Sequence, residues 1–520
     1  MTSPGNIVSL FFDKAKKYPT KAAIIHKTRS VTFSEFENQI VRTSTYLINK
    51  GIGKGDRVML FVPMSIDLYR IVLAIFNIGA TAVFLDEWVS KKRMEECCKI
   101  AQCKGFIGIF KARVFAFFSS ELRKIPIKLA IGYPSGIHKL DSGIITDWSD
   151  TALITFTTGS TGTPKAAKRT HGFLLEQFKG LLEKIDPQPE DIDMPVLPIV
   201  LLINLGAGCT SIISEFKASK PDSMDVKKIV HQLNTYKVTR LVSSPFFVKQ
   251  LAKYVTKEKI SLHLLKKIFT GGAPVFPIEA ELYDKAFPDA RVEIIYGSTE
   301  AEPISSINVK DLIKEKEELL KKGLKVGAIY RKAEVKIVEI KDGIISCENE
   351  NELNKLVLPS GKIGEIIVSG PHVLKEYFNN ESALRQNKIF IGEKCWHRTG
   401  DSGYIENEAL YLTGRCNTLI NVQGKIIAPF IYENYFQSIA GVEMGTIMNI
   451  NNVIYIILEV KSDSIKKDVI EQVQKIDVKY DHIKLISRIP RDPRHHSKID
   501  YVLLTQIMQK KAKNEPNYLH

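Results

Sequence analysis

Cysteine is scarce in this chain. Seven occur in 520 residues, an odd number, at positions 97, 98, 103, 209, 347, 395 and 416. So sparse a set excludes a disulfide framework. Cys97, Cys98 and Cys103 cluster, but no second Cys or His pair follows at zinc spacing, so the trio reads as reduced thiols on a buried helix face. Internal repeats and low-complexity tracts are also missing, which excludes fibrous and solenoid architectures. Uninterrupted hydrophobic runs are lacking: the stretch 68–85 carries Arg70 and Asn77, and 196–213 carries Pro198, Asn204 and two glycines. Both read as buried strand, helix and turn segments, and no transmembrane segment is expected. The opening MTSPGNIVSLFFDKAKKYP has no charged leader followed by a long apolar core, so no signal peptide is expected and the localisation read from the sequence is cytoplasmic.

A run of five or six like charges is absent too, although lysine and arginine number 73 against 58 acids, a formal charge of +15. The Lys-Lys pairs at 16–17, 91–92, 227–228, 266–267, 321–322, 466–467 and 510–511 are scattered. That spread describes a basic surface on a large protein, and no nucleic-acid partner is expected.

What is present is the composition of an ordinary globular protein, 44% hydrophobic and 25% charged, in a chain too long for one core. Short apolar runs at 21–26, 57–62, 80–85 and 105–110 alternate with amphipathic stretches at 33–50 and 66–78. The alternation predicts a parallel sheet flanked by helices, and it resumes after residue 151 with strands expected at 240–242, 267–269 and 292–296. From about residue 325 the expected elements are short strands at 335–340, 343–347, 364–369 and 409–413, a β-rich subdomain. A compact C-terminal unit of ordinary domain size is expected from Gly414 onward, with a strand at 453–460 and a helix at 465–475.

Three segments carry chemistry. In TTGSTGTPK, directly after the apolar run 152–156, Gly159 and Gly162 allow tight turns and close approach of backbone amides to an anion. Thr157, Thr158, Ser160, Thr161 and Thr163 add hydroxyl donors and Lys165 a positive charge, a set suited to polyphosphate. The Walker spacing is absent, and taken alone the segment also fits a polar surface loop. YGSTE, residues 296–300, follows the strand VEII at the edge where open α/β sheets bind ligands. There Tyr296 could stack on a base and Glu300 could hold Mg2+ against phosphates, or the segment could be a plain turn with a surface acid. WHRTGDSG, residues 396–403, is followed by TGRCNTLINVQGKIIAP, so that Asp401 and Arg415 make an acceptor-and-donor pair for a ribose diol or a solvated ion pair.

In this order the segments resemble the acyl-adenylate-forming superfamily: acyl-CoA synthetases, luciferases and the adenylation domains of peptide synthetases. The resemblance spans essentially the whole chain and includes Val31-Thr32-Phe33, Gly55-Asp56-Arg57-Val58 and Gly79-Ala80. It implies an α/β fold: a large N-terminal domain, 1–413, of two parallel-type α/β subdomains plus the β-rich subdomain of about 325–413. A small, mobile α+β C-terminal domain, 414–520, would carry the catalytic lysine. By resemblance, Thr157, Thr158, Gly159, Ser160, Thr161, Gly162 and Lys165 would wrap the β- and γ-phosphates of ATP. Gly271-Gly272-Ala273-Pro274 would form a second adenine-side loop, Tyr296 would pack on adenine, and Gly297, Ser298 and Thr299 would bind the nucleotide as part of the same adenine and magnesium motif. Glu300 would bind Mg2+, Asp401 and Arg415 the ribose, and His171 would be the histidine that often follows the phosphate loop. Lys498, in IPRDPRHHSKID, would neutralise the α-phosphate and the substrate carboxylate in the transition state.

The branch within the superfamily is narrowed by two stretches. MPVLPIVLLINLGAGCTSII has no acid to hold an amino group, which favours a carboxylic acid with an apolar tail. DPRHHSKI, with Ser497 where glycine is usual, resembles the DxRHNAKI of olefin-pathway β-lactone synthetases. Three functions follow: adenylation of a 3-hydroxy fatty acid with closure to a β-lactone, ligation to coenzyme A or an acyl carrier protein, or a non-catalytic nucleotide-binding role. Coenzyme A is required only by the second, and pathway enzymes are further candidate partners. The intact Lys165, Glu300, Asp401, Arg415 and Lys498 oppose the third. Asn417 replaces a common acid at the hinge, Ala166-Ala167 replaces Gly-Val, and His495 and His496 are either surface residues or a base for the hydroxyl.

Overall fold

A computed structural model describes residues 5–85, 90–132, 144–158, 164–460, 462, 465–492 and 497–514. Two sheets form the body of the molecule. The smaller runs in the order Ile127–Ala130, Gly105–Gly108, Arg57–Phe61, Thr81–Phe84, Thr151–Thr158, Pro164–Thr170. Its pairings are parallel except for the closing hairpin of the last two strands. The larger sheet has 14 strands, and at its centre Ile192–Pro195, Arg240–Ser243, Lys267–Gly271 and Arg291–Ser298 run parallel.

The expected β-rich region is continuous with that larger sheet. Ala301–Asn308 turns back on Arg291–Ser298, and Leu324–Ile329, Ala409–Arg415, Lys394–Glu406, Gly364–Ser369 and Glu334–Val338 follow as antiparallel neighbours. The strand expected at 343–347 does not form. The carbonyls of Lys341 and Gly343 instead accept hydrogen bonds from the guanidinium of Arg398, the first of them at 2.7 Å. At the start of the segment the Gly343 carbonyl thus serves a side chain, with no ladder partner.

Local chemistry sets the helix ends that border the cleft. Thr170 caps His171–Ile185 by accepting from the Phe173 amide at 3.1 Å, and Pro198 opens Pro198–Ala207 at a position that needs no N–H. Beyond the sheets, a three-stranded sheet of Val442–Ile450, Val453–Val460 and His482–Ile486 packs with Pro429–Ser438 and Lys466–Val473 around Phe436, Ile447, Ile456, Leu458 and Val473. This small unit has its own core, and the whole is the mixed α/β architecture read from the sequence. Cys97 and Cys98 are buried on the helix Lys91–Ala101, with Cys103 just past its end. Burial pushes the thiol of Cys103 up to about 12, which leaves it unreactive. No helix among the described residues is long and apolar enough to cross a membrane.

A buried polar knot joins the central sheet to the helices over it. Arg240 faces Asp193 at 3.3 Å with both side chains fully buried, and the Asn204 amide donates to Asp193 at 2.6 Å while its oxygen accepts from Arg240. Arg240 also donates to the Ile185 carbonyl at 3.1 Å. Arg240→Met would leave Asp193 without its cation in a dry environment, so urea unfolding should show a loss of about 3–5 kcal/mol. A change under about 1 kcal/mol would mean that the knot does not hold the helices to the sheet.

Candidate functional site

The hairpin Thr151–Thr158/Pro164–Thr170 sets Thr157 directly opposite Lys165, so a hydroxyl and an ammonium leave the sheet edge side by side. The Lys165 ammonium donates to the Asn387 side-chain oxygen at 2.7 Å and lies 6.0 Å from the centre of the Tyr377 ring. Burial holds its pKa below the usual lysine range. Thr158 pairs with Pro164 through its backbone. Gly159, Ser160, Thr161 and Gly162 lie outside the described residues, as do His495 and His496.

Glu300 is the centre of the arrangement. It is 8% exposed, and its Oε1 accepts from the Tyr377 hydroxyl at 3.1 Å and from Thr157 Oγ1 at 3.4 Å. Burial works to raise its pKa, but His397, Lys388, Lys165 and the Tyr377 hydroxyl outweigh that and hold it below the usual carboxylate range. Burial, reinforced by Lys388, drives His397 down to about 3, so the ring is neutral at physiological pH and the two ammonium groups carry the attraction. Its Nδ1 lies 3.2 Å from the Asn387 carbonyl, which can only accept, so Nδ1 carries the proton. Lys388 is 3% exposed, its ammonium has no hydrogen-bond partner among the described residues, and burial lowers its pKa to about 8.

The second cluster comes from strand register. Asp401 and Arg415 are Cα partners on neighbouring antiparallel strands, and the guanidinium donates to Asp401 Oδ1 at 2.7 Å. The other oxygen, Oδ2, accepts from the Tyr296 hydroxyl at 2.7 Å. Asp401 holds the Arg415 pKa above its ordinary value, while burial, then the Asp401 charge, keeps the Tyr296 phenol protonated. Tyr296 is therefore anchored by its hydroxyl, with its ring in the wall of the cleft. Gly297 is obligatory beside it: a Cβ there would meet the Ala301 carbonyl at 2.9 Å. Ser298 Oγ accepts the Glu300 amide at 3.3 Å, and the Thr299 carbonyl accepts from Arg169 at 3.3 Å.

Both clusters open into one cavity of about 2450 Å³, whose wall also includes Gly272, Ala273 and Lys498. Apolar side chains, among them Phe61, Phe84, Leu181, Val200, Phe269 and Ile295, line the same cavity. The helix Pro198–Ala207 contributes no acid to this wall, as its sequence requires, but Glu302 lines the cavity from a different element. His171 does not line it. Its ring is fully buried 5.9 Å from Phe76, accepts the Ile7 amide at 3.3 Å, and is held near 4 by burial. As the first residue of a helix capped by Thr170, it is turned into the core, so its placement corrects the expectation of a site histidine. Tyr377, Asn387, Lys388 and His397 join the site without having been singled out from the sequence. His397 alone sat in a quoted motif.

The oxygen chemistry of Glu300 and Thr157 fits Mg2+. Among the described residues no group of three or more His, Cys, Asp or Glu side chains could hold a metal alone, so an ion here needs oxygens from a ligand, the usual arrangement for Mg2+ on phosphates.

An ammonium buried without a hydrogen bond is a cost to the fold. A lysine pKa lowered to about 8 destabilises the folded protein fully below pH 8, and the penalty fades as the pH approaches the unfolded value near 10.5. Lys388→Met should therefore raise the thermal midpoint at pH 7, by of order 1–3 kcal/mol in stability, with the gain shrinking between pH 8 and 10. A lower midpoint at pH 7 would show that its attraction to Glu300 outweighs its desolvation.

Comparison with known proteins agrees with this geometry. Residues 11–378 match the AMP-binding enzyme family. An olefin β-lactone synthetase of Xanthomonas campestris pv. campestris is 29% identical over 410 residues, covering 74% of this chain and 72% of that protein. A second olefin β-lactone synthetase, from Stenotrophomonas maltophilia, is 25% identical over 483 residues, 86% of each. Among solved structures, O-succinylbenzoate coenzyme A synthetase from Bacillus subtilis, in complex with ATP and magnesium ion, superposes with a TM-score of 0.78 at 21% identity over 95% of this chain and 99% of that one. The match over most of the chain shows the family: the chain belongs to the AMP-binding enzyme family, whose members are ATP-dependent acyl-adenylate-forming enzymes.

Proposed function

We propose that this enzyme adenylates a 3-hydroxy fatty acid and closes the acyl-adenylate to a β-lactone. The observation that carries the reading is the continuity of one cavity, polar at Glu300, Asp401 and Arg415 and apolar at Phe84, Val200 and Phe269. ATP and a lipophilic carboxylate can then meet inside a single chamber. The likeness to two olefin β-lactone synthetases supports the finer choice of product.

In this reading Asp401, held by Arg415 and Tyr296, accepts hydrogen bonds from the ribose hydroxyls. Thr157 and Lys165 contact the phosphates. Glu300 and Thr157 would hold Mg2+, which when bound neutralises phosphate charge. A carboxylate is already ionised at neutral pH, so attack on the α-phosphorus needs no base, and pyrophosphate departs. Lys498 lines the same cavity and supplies a cation for charge that develops on the α-phosphate. The 3-hydroxyl oxygen then attacks the acyl carbon. Its C–O bond forms as the bond between the acyl carbon and the phosphate oxygen breaks, the hydroxyl proton is released, and AMP leaves. Intramolecular attack supplies the nucleophile that coenzyme A provides in a ligase.

Product mass spectrometry tests this reading. Protein, Mg-ATP and a 2-alkyl-3-hydroxy fatty acid should give AMP and a dehydrated product without coenzyme A. An acyl-CoA formed only when coenzyme A is added would assign a ligase instead. Lys498→Ala should lower pyrophosphate release by at least about 100-fold while calorimetry shows ATP binding within a few-fold of the parent. Wild-type release would remove Lys498 from the reaction. Asp401→Ala should weaken ATP binding by about 10- to 100-fold, the worth of a charge-assisted hydrogen bond.

A further inference from the structure

The buried face of the helix His171–Ile185 consists of His171, Phe173, Leu174, Gln177, Gly180, Leu181 and Ile185. Beyond the helix start, Gln177 is the one side chain on that stripe able to hydrogen-bond. It is 2% exposed and lines the large cavity among Leu181, Ile185, Val200 and Phe269. Its Nε2 donates to Glu302 Oε2 at 3.3 Å, while its Oε1 has no partner among the described residues. An amide oxygen buried without a donor carries a desolvation penalty that an apolar residue of similar size would avoid. The Glu302 bond also removes ambiguity from the amide. With Nε2 donating to the carboxylate, the amide oxygen is the atom of the group left without a partner among the described residues.

Glu302 in turn is placed by the nucleotide cluster. A Cβ on Gly297 would meet Glu302 Cα and Cγ, both at 3.1 Å, so this acid packs against the residue that follows Tyr296. On the helix side, Gly180 lets Pro303 approach to 2.9 Å of where its Cβ would stand. The Gln177 side chain thus lies where the helix meets the chain that follows YGSTE, and it lines the cavity there.

We propose that Gln177 Oε1 is a hydroxyl-recognition site for the acyl substrate, with Glu302 as the positioning residue that fixes its orientation. The inference rests on the reading that a lipophilic carboxylate occupies this chamber, and it names the feature of that acid which the enzyme selects. The matching ligand group is a neutral O–H on an otherwise apolar chain close to the carboxylate. A chain without the hydroxyl leaves the amide oxygen unpaired in the complex, which is how buried polar groups discriminate against deoxy analogues.

ATP–pyrophosphate exchange with the full chain tests this, since it reads adenylation alone. The probes are 3-hydroxydodecanoic, dodecanoic and 3-aminododecanoic acids. The wild type should favour the hydroxy acid over dodecanoic acid by about 10- to 100-fold in kcat/KM. Gln177→Leu should abolish that preference by losing activity on the hydroxy acid, with dodecanoic acid used within about twofold of wild type or better. Glu302→Ala should raise KM for the hydroxy acid selectively, and Glu302→Gln, which keeps an acceptor for Nε2, should restore much of the preference. Equal use of the hydroxy and plain acids by the wild type overturns the proposal, and so does a preference for the amino acid. Equal loss on both acids in Gln177→Leu, with an unchanged thermal midpoint, overturns it as well. Should Gln177→Leu fail to fold, the wild-type comparison still decides. A hydroxyl preference without lactone would sustain this inference and reject ring closure; lactone without any preference would do the reverse. No exchange with any of the three acids rejects both.

Discussion

The Glu300 carboxylate is the point through which the two sheets and the cleft between them are coupled. Thr157 reaches it from the hairpin of the smaller sheet, Tyr377 from the loop after Gly364–Ser369, and Lys388 and His397 from paired strands of the larger sheet. Among the described residues, Glu300 is the carboxylate that acts on both Lys165 and Lys388. A buried carboxylate is tolerable only where opposite charge and hydrogen bonds repay its lost hydration, and here the repayment comes from elements distant in the chain. The position of Glu300 therefore reports whether hairpin, loop and strands have docked together.

That design carries an excess of positive charge. Lys165 and Lys388 share one counter-charge, both with pKa values lowered by burial, and Arg415 stands nearby on Asp401. Such a surplus weakens the fold and prepares the site for a polyanion, since triphosphate oxygens bring the charge and acceptors that the ammonium groups lack. The neutral state of His397 fits the same economy, because a third cation there would have no partner. Asp401 works by the opposite means. It is fully engaged by Arg415 and Tyr296, so its two oxygens are held rigidly where a diol could share them.

The fold was legible where periodicity was strong. The alternation of residues 21–110 appears as the strands and helices expected, with ends shifted by a residue or two, because caps such as Thr32 and Ser65 are local signals. The motif residues that came together, Tyr296, Glu300, Asp401, Arg415 and Thr157, announced themselves by glycine, hydroxyl and charge packed into short segments. Tyr377, Asn387 and Lys388 did not. They lie in LKEYFNNESALRQNKIF, a stretch indistinguishable from a surface turn and helix, and meet Glu300 and Lys165 across sequence separations of 77 and 222 residues. His171 erred in the other direction: closeness in sequence to the phosphate hairpin suggested the site, but the helix start turns the ring inward onto Phe76. The expected strand at 343–347 does not form either, and Arg398 holds the Gly343 carbonyl at its start.

The apolar wall and the polar clusters place opposite demands on water. Burial raises the worth of each charge-assisted contact to ATP, yet a reactive mixed anhydride survives only if bulk water stays out. The helix Pro198–Ala207 serves the second need by presenting Val200 and its neighbours to the chamber, and the Arg240, Asp193 and Asn204 knot holds that helix to the sheet without exposing any of its own polar atoms. A polar group inside such a wall works against exclusion of water unless a substrate atom occupies it. Gln177 is such a group, and its orientation by Glu302 links the apolar chamber to the strand that carries Tyr296 and Glu300. Occupation of the amide by a substrate hydroxyl would satisfy that group, so recognition of the acid and protection of its adenylate become one event.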